Sequence, residues 1–261
     1  MSVKLPKRTA FVLWVFICLL MLGCSSHDRP EEGDVIDRHG GVTHLEKMDE
    51  FIASVSRNQP ATLRLIRYTI EGDPIFHDLS YQNKKIEFRL DSTEDQFGKG
   101  EVATYFCDAL ERKETDTLLQ YTLTGCTGNN GTMKLLTISF DVEKQDVFAF
   151  VLQYGGNLPH GDVAEIRDDQ LSNEARQLIY KKMVLSNYLG EKRLSTECNH
   201  TPHVRYSLNV QINGALREFQ WAECDQSEDG KTMTALAKDI IAIATSNEER
   251  KQAPETNGQA R

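Results

Sequence analysis

Between Thr62 and Trp221 apolar side chains keep returning at every second position and then break off at a turn, and this period constrains the fold more than any other feature. Ile86, Phe88 and Leu90 alternate with Glu87 and Arg89. Tyr206, Leu208, Val210 and Ile212 alternate up to Asn213-Gly214, after which Phe219 and Trp221 return on the same face. A period of two sends successive side chains to opposite faces of a strand, so such runs build sheets with one dry and one wet face. Asn-Gly suits a two-residue type I′ turn, which sets Leu208 opposite Phe219 and Tyr206 opposite Trp221. Further strands are expected from Thr62 to Ile70 and from Ile75 to Tyr81, joined through Glu71-Gly72-Asp73-Pro74. Val102 to Ala109 is expected to pair with Leu119 to Gly125, and strands follow at Leu136 to Val142 and Phe148 to Tyr154.

Helical periods interrupt this pattern. Thr43 and Glu46 make a capping-box pair ahead of Leu45, Met48, Ile52 and Val55. A second helix, from about Asp169 to Tyr188, turns Ala175, Leu178, Ile179 and Met183 inward. A last one, from about Glu228 to Thr245, carries Met233, Leu236, Ala237, Ile240 and Ala244. With a charged break at Glu143 to Asp146, the order predicts an α+β fold of two small domains, residues 43–144 and 145–245, each an antiparallel sheet packed by one or two helices. Residues 24–42 hold few large apolar side chains and read as a flexible tether, and 246–261 as a disordered polar tail.

The first residues carry a different message. A basic start (Lys4, Lys7, Arg8) runs into an apolar block from Ala10 to Leu22 that ends at Gly23-Cys24. The block is too short for a comfortable membrane span, and a small residue before a cysteine is the cleavage pattern of a bacterial lipoprotein signal. The expectation is a mature chain starting at Cys24, lipid-anchored on the extracytoplasmic face of the cell membrane. The whole sequence has a net charge of −9, and loss of the three basic signal residues makes the remainder more acidic. That excludes a nucleic-acid partner and an electrostatic hold on anionic lipid, so the acyl chains must anchor the protein, at about 0.8 kcal/mol per buried methylene.

Cys18 leaves with the signal and Cys24 takes the lipid, so Cys107, Cys126, Cys198 and Cys224 remain. An even number in an exported chain reads as disulfides. Of the three connectivities, the local one joins Cys107 to Cys126 and Cys198 to Cys224, each bridge stabilising by roughly 3 kcal/mol in the chain-entropy picture.

The run YTIEGDPIFHDLSYQNKKIEFRLDST (Tyr68 to Thr93), preceded by LEKMDEFIASV and followed by YTLTGC ending at Cys126, resembles the lipoproteins of Gram-positive spore-forming bacteria grouped as domain of unknown function 4362. The likeness covers roughly residues 43–142, with the EGDPI turn and both cysteines in the family's places. It implies a surface lipoprotein and brings no activity with it. The second half, in its order of strand, helix, hairpin and closing helix, is similar in layout to emfourin-type protease-inhibitor domains, a likeness that transfers no binding residue.

Candidate chemistry is sparse. Cys198, His200, His203 and Cys224 could be drawn as a metal site, but the spacing is not that of a zinc module, and exported thiols oxidise. Asp225, Ser227, Asp229 and Gly230 match the opening of a calcium loop, yet its twelfth place is Leu236 instead of a bidentate Glu. His77-Asp78 and His160-Gly161-Asp162 offer acid-base pairs with no motif nucleophile. Tyr206, Phe219 and Trp221 form either a ligand platform or a hairpin core. The sequence therefore predicts a non-enzymatic, lipid-anchored binding module without cofactor or metal, its partner an unidentified protein or small molecule. The alternative is an inhibitor or sensor of an extracellular protease acting through the C-terminal domain.

Overall fold

The structure is a computed structural model that describes residues 30–31, 33–39, 41–128, 131–156 and 163–252, the side chains of 251 and 252 excepted. Gly23-Cys24, Asn129-Asn130, His160-Gly161-Asp162 and residues 253–261 lie outside the described residues. In chain order the elements are β1 (Val35–Arg38), β2 (Gly41–Thr43), α1 (Glu46–Ser56), β3 (Ala61–Tyr68), β4 (Pro74–Gln82), β5 (Lys85–Asp91), β6 (Val102–Cys107), β7 (Ala109–Glu114), β8 (Leu118–Thr124) and β9 (Thr132–Ser139). The second half adds β10 (Phe148–Gly155), β11 (Ala164–Arg167), α2 (Asn173–Leu185), β12 (Arg205–Ile212), β13 (Ala215–Ala222) and α3 (Glu228–Gln252).

Three sheets result, ordered β2-β1-β3-β4-β5-β6, β7-β8-β9 and β11-β10-β12-β13. The fold is α+β, two small domains in which helices cover mostly antiparallel sheets. In the first sheet the pleat sends Leu63, Leu65, Leu79, Ile86 and Phe88 to one face, and all five are buried. Helix α1 packs on β3 and β7 and buries Met48 and Phe51 against that face. The three-stranded sheet closes the remainder with Leu119, Tyr121, Leu123 and Leu136. Cys107, the last residue of β6, is bonded to Cys126 just beyond β8.

Several expectations needed correction. Residues 35–42 are not tether: β1 pairs in parallel with β3 and antiparallel with β2, and Val35 has no exposed surface. One buried valine per short strand is enough to hold such a segment, although its composition reads as solvated. The parallel β1/β3 pair also makes the first sheet mixed. Thr43 does not cap α1, because it pairs with Ile36 in β2; the helix starts at Glu46, with Leu45 as its N-cap residue and no side-chain cap bond. Strand β6 pairs with β5, not with β8. At Asp108 the chain leaves the first sheet, and β7 then pairs with β8 in the second, so the first domain holds two sheets where one was expected. In α2 it is Tyr180 that turns inward with Ala175, Ile179 and Met183, while Leu178 stays on the surface. Helix α3 runs on through residue 252, so residues 246–252 are not a disordered tail. Buried Asn247 ties that last stretch down by accepting the Ser172 N–H at 3.1 Å.

The second domain follows the sequence closely. Asn213 and Gly214 have φ of 44° and 90°, the two left-handed positions of a type I′ turn. The register pairs Leu208 with Phe219 and Tyr206 with Trp221. Asn213 also docks the hairpin tip: its Oδ1 accepts from the Val147 N–H at 3.1 Å, and its Nδ2 donates to Gln145 Oε1 at 2.9 Å. All five predicted α3 residues are buried. Cys198 is bonded to Cys224, bracketing the hairpin.

Polar bonds join the two halves. The Gln177 amide on α2 donates from Nε2 to the carbonyls of Asp116 and Phe140, both at 2.8 Å, while its Oε1 accepts from the Val142 N–H at 3.0 Å. One turn along, Lys181 lies 2.6 Å from Glu114 and 3.0 Å from the Thr115 carbonyl, above the Phe140 ring. Glu114 also pairs with Arg112, which is 3.2 Å from Asp49 on α1. The Lys181 ammonium, seconded by Arg112, holds Glu114 below the usual carboxylate range despite its partial burial.

Trp221 belongs to the core: it has no exposed surface, stacks on Tyr206 at 5.1 Å, and donates from Nε1 to Thr234 Oγ1 at 3.0 Å. Trp221→Ala is expected to destabilise the second domain by about 3 to 5 kcal/mol, the range for truncating a buried large aromatic. Chemical denaturation followed by far-UV circular dichroism measures this directly.

Candidate functional site: a charged cleft at the β3 edge

The alternation of β4 separates His77 from Asp78. His77 points inward, opposite Leu65 and Leu90, whereas Asp78 points outward, directly between Arg64 of β3 and Arg89 of β5. The Arg64 guanidinium grips Asp78 with two bonds, Nε to Oδ1 at 2.6 Å and Nη2 to Oδ2 at 3.0 Å, and it lies 5.5 Å from the Phe76 ring. Arg89 approaches Asp78 Oδ2 at 3.7 Å and pairs more closely with Asp91. A bidentate fork of this kind fixes both side chains in one plane. The hydrogen bond to Asp78 raises the pKa of Arg64 further.

This row lines a cleft of about 810 Å³ that passes from the flank of α1 across the edge of β3 onto the outer face of the sheet. On the α1 side it meets Lys47, Glu50, Phe51 and Ser54, with Lys47 and Glu50 paired at 2.9 Å. Beyond Arg64 it is flanked by Glu31, Gly33 and Asp34, and Glu87 stands on the outer face. Strand β1 reaches β3 only from Leu65 onward, so among the described residues no strand pairs with Ala61–Arg64 on this side. A larger cleft, of about 1040 Å³, lies between Gly190–Leu194 and β13. Its charges are evenly matched, and the Ser195 carbonyl closes one end by accepting the Ala222 N–H.

The separation of His77 from Asp78 removes the acid-base pair. His77 is 8% exposed, stacked on Phe88, and its Nδ1 has no hydrogen-bond partner among the described residues. Burial, helped by the nearby Arg67 charge, pushes its pKa down to about 4.

The other sequence candidates resolve structurally. Cys198 and Cys224 are consumed by their disulfide. Arg205 can only donate, so its 3.2 Å bond makes His203 Nε2 an acceptor and leaves Nδ1–H to donate to the His200 carbonyl at 2.8 Å. Asp225 accepts from the Ser195 and Ser227 N–H groups, and Ser227 Oγ accepts from the Gly230 N–H at the start of α3. Gly230 is needed there because a Cβ would sit 2.3 Å from the Asp225 carboxyl carbon. The calcium-loop pattern is thus a helix cap, and no group of three or more His, Cys, Asp or Glu side chains suited to a metal occurs among the described residues. Sequence reasoning had not singled out Arg64 and Arg89. The signal was present: they and Asp78 occupy outward positions of three successive strands, but aligning them requires the register of two hairpins.

Residues 32–122 match the family model described as domain of unknown function 4362, a span that starts earlier than the sequence likeness suggested, ends before Cys126, and takes in β1, β2 and every cleft residue but Glu31. Comparisons with curated proteins and with solved structures give no match.

His77 generates a pH expectation. Its folded-state pKa lies below the ordinary value of 6.5, so the unfolded chain binds the extra proton first, and stability falls as pH drops from about 6.5 to about 4. The full loss is about 3 kcal/mol. His77→Leu is expected to flatten urea midpoints across that window, leaving the carboxylate-driven loss at lower pH in place.

Proposed function

We propose that the chain is a lipid-anchored protein of the extracytoplasmic membrane face that works by binding, without catalysis, and that its partner sits in the β3-edge cleft. The observation that carries this reading is the Arg64–Asp78–Arg89 row beside the uncovered edge of β3. These ionisable groups are already paired with one another, which suits positioning a ligand. The Gly23-Cys24 signal supports the anchor, and the acidic balance of the chain supports a partner other than nucleic acid.

Two experiments test the reading. Cys24→Ala is expected to accumulate as uncleaved precursor and to lose incorporated radiolabelled palmitate; normal processing with full labelling would overturn the anchor. For the cleft, a photo-crosslinking phenylalanine analogue placed at Thr62, on the bare edge, is expected to give an adduct on illumination of intact cells. The same analogue at exposed Lys113 on β7 serves as the control, and equal or absent adducts at the two positions would overturn binding at the cleft.

A further inference from the structure

We propose, resting on the binding reading above, that the occupant of the cleft is a short extended peptide segment of alternating basic and apolar side chains, added as a strand along Ala61–Leu63 of β3. The ladder between β1 and β3 begins at Leu65. Upstream, the chain turns within Glu31–Asp34: the Asp34 N–H donates to the Glu31 carbonyl at 3.2 Å, the Glu31 N–H donates to Asp34 Oδ2 at 2.8 Å, and Gly33 takes a φ of 101°. Among the described residues no strand therefore runs beside Ala61–Leu63 on that side. At about 3.3 Å per residue this stretch is about 10 Å long, the span of three or four extended residues.

Bare strand edges are usually blunted by proline, lysine or a bulge, because their outward N–H and C=O groups recruit other chains. Ala61-Thr62-Leu63-Arg64 contains no proline or lysine and pairs with β4 without a bulge. Main-chain bonding to such an edge supplies affinity, and the alternating pockets on either side supply selectivity. On the α1 side an incoming strand meets Phe51 and Leu63, both buried apolar side chains that line the cleft. Charge identifies the other side. Glu31, Asp34, Asp78 and Glu87 line it against Arg64 and Arg89, and both cations already have an ion-pair partner. A lysine or arginine from the incoming strand therefore finds carboxylates with capacity to spare, and an acidic side chain is repelled.

The test uses the full chain purified in detergent micelles and fluorescein-labelled pentapeptides read by anisotropy. Lys-Val-Lys-Val-Lys is expected to saturate, and Glu-Val-Glu-Val-Glu to show no saturable binding. Two N-methylated versions, one blocking the lysine amides and one the valine amides, separate strand addition from charge attraction: at least one must lose binding by tenfold or more, about 1.4 kcal/mol. The double variant Glu31→Gln, Glu87→Gln, both exposed positions, is expected to weaken the lysine peptide about fivefold, as two screened surface charges would. Equal binding of the acidic peptide, or undiminished binding of both methylated versions, or no saturation at millimolar lysine peptide overturns the inference. Failure of the peptides while the Thr62 cross-link forms removes strand addition alone; failure of that cross-link removes the binding reading beneath it.

Discussion

A six-stranded sheet with one apolar face persists in water only if that face is covered, and the first domain divides the task between a helix and a second sheet. Neither cover would serve alone. Helix α1 offers Met48 and Phe51 as its fully buried side chains, too little to seal rows that run from Ala61 through Tyr81 and Ile86 to Cys107. The chain therefore turns at Asp108 out of the first sheet and lays β7, β8 and β9 over the remainder, with the Cys107–Cys126 bond fixing the fold-over. Everything on the outer face depends on that inner closure, because only a sheet held in register can set Arg64, Asp78 and Arg89 side by side.

The join between the halves follows a different physics. It centres on one amide, Gln177, whose donor and acceptor ends are both used by backbone groups from the end of the first domain. The ion pairs beside it run from Asp49 through Arg112 and Glu114 to Lys181, touching α1, β7 and α2 in turn. Such a seam is directional where the apolar core is not: the donor and acceptor ends of the Gln177 amide match their backbone partners in one relative placement of the domains.

What was legible in the sequence was local. The β12/β13 hairpin, with its Asn213-Gly214 turn and its Leu208/Phe219 and Tyr206/Trp221 pairs, could be read in full because turn chemistry and period agree over adjacent residues. The face of α3 was equally plain. What escaped were features made by distance in sequence. Val35 and Val42 are too few to announce strands, yet Val35 is held by β3, about thirty residues downstream along the chain, and Val42 by β1 in turn. The pattern from Val102 to Glu114 is one run in sequence and two sheets in space, since nothing about Asp108 announces the change of partner. The cleft was invisible for the same reason. Its residues are ordinary surface charges until the registers of three strands are superposed, and the reading of His77-Asp78 as a pair failed because neighbours in a strand face opposite ways.

The pinned tip of the second hairpin bears on how the molecule ages. In an Asn-Gly pair the glycine nitrogen is poorly shielded and can attack the preceding side-chain amide, expelling ammonia to close a succinimide that water then opens to aspartate or isoaspartate. Asn213 is held at both ends, Oδ1 by the Val147 N–H and Nδ2 by Gln145, so the rotation that brings its carbonyl carbon to the Gly214 nitrogen first has to break both bonds. The contacts that dock the hairpin onto the segment between the domains therefore also protect the Asn213-Gly214 bond from chemical decay.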